Sequence, residues 1–86
     1  MPELSRFYGI IVRMYFDDHA PPHFHAIYSA EEVVIDIQQL AIIRGGLSPR
    51  AFGLVMEWAA GHQRELLAAW ERAFRSEQPG KIDPLP

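Results

Sequence analysis

The stretch DDHAPPHFHA, residues 17–26, gathers three of the chain's four histidines beside two adjacent acids and two adjacent prolines. Imidazole binds metals through either ring nitrogen and moves protons near neutral pH, so two chemistries are open to it. The first is metal binding. His19, His23 and His25 supply three imidazoles, and Asp17, Asp18 or Asp36 could add an oxygen. Two histidines at i and i+2 in a strand share a face, so His23 and His25 can reach one ion. Three protein ligands plus a water is the catalytic zinc pattern. Against this, the chain holds no full four-ligand signature, and a His-x-His pair also suits an ordinary surface strand.

The second chemistry needs no metal. His25 held by Asp36 would keep a defined tautomer and act as acid and base. Arg13 could stabilise an anion such as a phosphate, and Tyr15 could donate a hydrogen bond or stack on a base. His25, His23, Arg13, Tyr15 and Asp36 are therefore the candidate catalytic residues, a set suited to RNA cleavage without a metal. The plainer reading is a cross-strand His–Asp pair that only stabilises a sheet, and residue types alone favour it.

These groups need strands to position them. Residues 6–16, RFYGIIVRMYF, are rich in β-branched and aromatic side chains and read as a strand. Tyr8, Ile10, Val12, Met14 and Phe16 fall on its core face; Phe7, Gly9, Ile11, Arg13 and Tyr15 fall on the other. The prolines break the pattern. Residues 23–28 resume a strand, SAEE reads as a turn, residues 33–38 form a third strand, and LAII forms a short fourth ended by RGG. With Phe16 opposite Phe24 and Tyr28 opposite Val33, Tyr15, His25 and Asp36 form one polar row on the helix-free face, flanked by Arg13 and His23.

Residues 47–74 read as one long helix, with Ser48 as N-cap, Pro49 at the first helical position and a bend at Gly61. Arg50, Arg64, Arg72 and Arg75 alternate with glutamates and read as a solvated face. The expected architecture is α+β: an antiparallel meander of three to four strands, covered on one face by one long C-terminal helix. Residues 1–76 form a single domain and 77–86 a flexible C-terminal tail.

Bulk properties narrow the function. A net charge of -3 argues against a protein that coats nucleic acid by charge alone. The absence of cysteine excludes disulfides, thiolate ligands and a cysteine nucleophile. No apolar run is long enough to cross a bilayer, and the first residues carry no signal pattern, so the expected location is cytoplasmic. Phe7, Ile11, Val34, Trp58 and Trp70 leave spare apolar surface, which suits a homodimer.

The segment SRFYGIIVRMYFDDHAPPHFHA closely resembles the opening of a family of small bacterial proteins, the domain of unknown function numbered four-one-six-zero. Arg50, Glu57, Trp58, His62, Glu65, Leu66 and Trp70 extend the resemblance. The chain departs from it in the SAEE turn and in LAIIRGGL. The resemblance supplies no catalytic residue. It implies a protein partner encoded nearby, in an arrangement similar to toxin–antitoxin pairs. The first expectation is thus a small interaction module of such a pair, binding a partner protein and RNA or DNA through the His/Arg/Tyr face. The alternative is a small nuclease or hydrolase that uses the His23/His25 cluster, either with a divalent metal such as zinc or by His/Arg/Asp acid–base chemistry. The acidic charge favours the module; the histidine, arginine and tyrosine on one face favour the enzyme.

Overall fold

In the computed structural model, which describes residues 2–16 and 18–86, five strands precede two helices. The strands are β1 (Glu3–Phe7), β2 (Ile10–Arg13), β3 (His23–Tyr28), β4 (Glu31–Asp36) and β5 (Ala41–Gly45); the helices are α1 (Pro49–Ala60) and α2 (Gln63–Phe74). The strands pair antiparallel in chain order, β1-β2-β3-β4-β5. The fold is α+β, but with five strands rather than three to four, and with two short helices in place of one long C-terminal helix. Among the described residues, no helix is long and apolar enough to cross a membrane.

The extra strand comes from a turn hidden inside the expected first strand. Tyr8 and Gly9 have φ of 51° and 81°, and two consecutive positive φ values make the tight turn that suits strand twist. The chain reverses there, and Phe7 pairs with Ile10. Both side chains are buried, whereas Tyr8, expected in the core, is exposed at the turn. Phe16, also expected in the core, is exposed beyond the end of β2.

The single helix fails on length. A straight helix over residues 49–74 would run roughly 39 Å at 1.5 Å per residue, yet the molecule's longest extent is 33 Å. The chain breaks at Gly61 and His62, whose N–H groups donate to the carbonyls three residues back, on Trp58 and Ala59. Ser48 stands at the N-cap and Pro49 opens α1, but no side chain caps this end. The Ser48 N–H instead donates to Glu31 Oε1 at 2.8 Å.

Both helices lay their apolar stripes on one sheet face. Val55, Trp58, Leu66, Ala69 and Ala73 join Ile10, Val12, Phe24, Ala26, Val33 and Ile35 in one core cluster. Trp58 anchors it, with its ring 5.4 Å from that of Phe7 and 6.0 Å from that of Phe24. Residues 77–86, expected to be a flexible tail, form no helix or strand but are held down. Ile82 is buried, its N–H donates to the Leu4 carbonyl at 2.8 Å, and Trp58 Nε1 donates to the Asp83 carbonyl at 2.7 Å.

The strand registers differ from expectation by two residues in each hairpin. Arg13, not Tyr15, lies opposite His25. Val34, not Asp36, is the partner of His25 on β4, and Asp36 lies opposite His23. The second shift arises because the turn after β3 is two residues long rather than four. An even shift keeps every side chain on its face, so both histidines stay on the face opposite Phe24 and Ala26 while their strand neighbours change, and His23 also sets its ring 5.0 Å from that of Trp70 on α2.

Candidate metal centre

The orientation of the two strand histidine rings follows from their hydrogen bonds. His23 and His25, at i and i+2 on β3, are both buried. His23 Nδ1 lies 2.7 Å from the Pro21 carbonyl. A carbonyl only accepts, so this nitrogen carries the proton. His25 Nδ1 lies 2.9 Å from Glu32 Oε2 and donates to that carboxylate. Both rings therefore present Nε2 to the same place, and that place holds Asp18. Its Oδ2 is 2.8 Å from His23 Nε2 and 3.6 Å from His25 Nε2. Among the described residues, His25 Nε2 is buried with no hydrogen-bond partner.

The three ligand atoms of Asp18, His23 and His25 lie within 4.8 Å of one another. Ligands about 2.1 Å from an ion at tetrahedral angles stand roughly 3.4 Å apart, so small rotations suffice to close the set around one ion. Two imidazoles and one carboxylate suit zinc or another first-row divalent metal. The partners on the far ring nitrogens, a carboxylate and a carbonyl, are those that orient metal-binding histidines.

The loop that carries Asp18 is tied to the sheet. The Ala20–Pro21 peptide is cis, and the Pro22 carbonyl accepts the Ile37 N–H at 2.9 Å. Asp18 Oδ1 accepts the His19 N–H at 2.8 Å. Burial pushes the Asp18 carboxyl up, but the His19 N–H and the facing His23 ring outweigh it and hold Asp18 below the usual range. Around the three residues opens a cleft of about 530 Å³, also lined by Tyr15, Phe16, His19, Val34, Ile43 and Arg44.

The other expected site residues take varied positions. Tyr15 sets its ring edge-on to His25, with centroids 4.4 Å apart. His19 lines the cleft but stands outside the three-residue cluster. Arg13 is His25's partner on β2; its Nε is buried without a hydrogen-bond partner among the described residues, and it is not part of the cleft wall. Asp36 does not hold His25. Its Oδ1 accepts the Gln39 N–H at 2.8 Å and so closes the turn after β4. Asp17, the other acid considered as a metal ligand, lies outside the described residues. His62, on the helical layer, bonds Glu65 at 2.5 Å and takes no part.

Glu32 and Arg44 were not singled out in the sequence, because SAEE and RGG both read as chain reversals. The shorter turn puts Glu32 on β4, diagonal to His25. Arg44 lies on β5 opposite Val34. No curated protein and no solved structure matches the chain. A family model described as "Domain of unknown function (DUF4160)" matches residues 9–71, which include all of β2 to α1, the three clustered residues and most of α2, and the chain therefore belongs to that family.

Proposed function

We propose that the protein is a small metal-dependent hydrolase whose centre is Asp18, His23 and His25. The observation that carries this reading is the convergence of two Nε2 atoms on one carboxylate, with both Nδ1 atoms committed elsewhere. Three protein ligands leave a fourth position for water, and a divalent metal lowers the pKa of that water to about 7. In hydrolysis the water oxygen adds to the substrate's electrophilic centre, the bond to the leaving oxygen breaks, and the leaving oxygen takes up a proton. The cleft gives a substrate room beside the ligands.

The test is titration with zinc and manganese, followed by calorimetry, on the wild type and on His23→Ala/His25→Ala. Near-stoichiometric binding is expected, lost in the double variant while its circular dichroism is kept. A wild type that takes up neither metal would leave the cluster as a hydrogen-bonded surface and end this reading.

One observation favours a second reading, a protein-binding module of a toxin–antitoxin-like pair. All of the edge strand β5 is exposed, and Ile42 and Ile43 are 50% and 45% accessible. An open apolar edge can accept a strand from a neighbour-encoded partner or from a second copy. Co-purification with the product of the adjacent gene, abolished by Ile43→Lys, is its expected signature.

A further inference from the structure

Arg44 is a cation without an assigned task. It is exposed on β5, and among the described residues its side chain forms no ion pair or hydrogen bond. Of the two acids on the cleft wall, Glu32 is engaged by His25 Nδ1 and Asp18 by His23 Nε2. Arg44 also stands in register with the metal centre: His25 pairs with Val34, and Val34 pairs with Arg44. At about 4.8 Å per strand step, its Cα lies roughly 10 Å from that of His25, a gap that a long arginine side chain can largely cross.

The strand is shaped to bring this residue there. Val34 pairs with Arg44 but Ile35 pairs with Ile42, so Ile43 is the extra residue of a bulge. Consecutive strand residues point to opposite faces, yet Ile43 and Arg44 both line the cleft. A bulge re-aims a side chain in this way. The cleft thus has three parts: the Asp18/His23/His25 cluster, Arg44 two strands over from His25, and the apolar residues Phe16 and Ile43 on its wall.

We infer that the cleft takes a phosphate ester, with its phosphoryl oxygens bridging the metal and Arg44 and its organic group lying against Phe16 and Ile43. This inference rests on the metal reading above. A guanidinium offers a planar fork of donors matched to oxyanions, and a phosphoryl group has enough oxygens to meet the metal and the fork together. A carboxylate has only two, and a neutral ester would leave the arginine unused.

The experiment is calorimetric titration of phenylphosphonate, a phosphate-ester mimic that cannot be hydrolysed, into the zinc-loaded protein. Benzoate serves as the carboxylate probe. The wild type is expected to bind phenylphosphonate at least tenfold more tightly than benzoate. Arg44→Ala should weaken phenylphosphonate tenfold or more, with zinc affinity unchanged; Arg44→Lys should recover part of the loss. Equal phenylphosphonate affinity in wild type and Arg44→Ala overturns the role of Arg44. Equal affinity for the two probes overturns the phosphate assignment. Either result leaves the metal centre standing, whereas failure to take up zinc or manganese removes both proposals together.

Discussion

Glu32 bonds Nδ1 of His25 without belonging to the candidate ligand cluster. Its carboxylate accepts the Nδ1 proton at 2.9 Å, and its side chain is about half exposed. Removing it costs little packing but frees the imidazole to turn or to move its proton to Nε2. Partners of this kind are worth about 10–100-fold in metal affinity. Glu32→Ala is expected to weaken zinc by that factor with the melting temperature of the metal-free protein nearly unchanged. Glu32→Gln, whose amide oxygen can still accept, should restore most of the affinity. Competition against a chromophoric chelator reads both, and an unaltered zinc affinity in Glu32→Ala would make this contact incidental. At this scale the sequence was half legible. A His-x-His pair on one strand face needs only the period of two, so His23 and His25 could be named as a pair. Which acid completes it could not be read off. Asp18 and Asp36 are equal as carboxylates, and the placing of Asp18 beside the histidines depends on how a loop with two prolines folds back.

Elements move whole rows of residues, which is why turn lengths mattered more than composition. The apolar alternation in residues 6–16 runs through the Tyr8–Gly9 reversal without a visible break, so a hairpin looked like one strand. Reading SAEE as a four-residue turn displaced β4 by two, kept its faces and exchanged Glu32 for Asp36 in the neighbourhood of His25. β5 depends on a further backbone device. Gly45 has φ of 75°, and a Cβ built there would meet the Glu32 carbonyl oxygen at 2.2 Å. The next residue, Gly46, would meet nothing within 4 Å and does not have positive φ. Gly45→Ala therefore combines backbone strain with a steric clash and is expected to cost about 2 kcal/mol or more. Gly46→Ala should stay within about 0.5 kcal/mol of wild type. Urea unfolding of the two variants separates them, and similar midpoints would mean that the β4–β5 edge is free to rearrange.

The molecule as a whole keeps most of its core and most of its candidate site on opposite faces of one sheet. Tryptophans, alanines and branched side chains fill the helical side; the cleft opens on the other, and among its candidate ligands His23 also touches the helical layer, with its ring 5.0 Å from that of Trp70. The C-terminal segment belongs to the stabilising side. Its proline-rich, turn-rich composition predicts a loose end, because nothing local in PGKIDPLP tells of a partner on β1. The partner is distant: the Leu4 carbonyl receives the Ile82 N–H, and the Asp83 carbonyl receives the indole N–H of Trp58, the largest fully buried side chain among the described residues. Deleting residues 77–86 would expose the surface that Ile82 covers, worth about 1.5–3 kcal/mol. It would also leave Trp58 Nε1 without its acceptor, at about 1–3 kcal/mol. The expected loss, roughly 2.5–6 kcal/mol, is large beside the 5–15 kcal/mol typical of a folded domain. Ile82→Ala alone should account for about 2 kcal/mol of it. Urea unfolding of the shortened chain and of Ile82→Ala tests the point. If both unfold at the wild-type midpoint, the segment is an ornament on a core complete without it. If both fall as expected while the full-length cleft variants do not, the two faces are energetically separate.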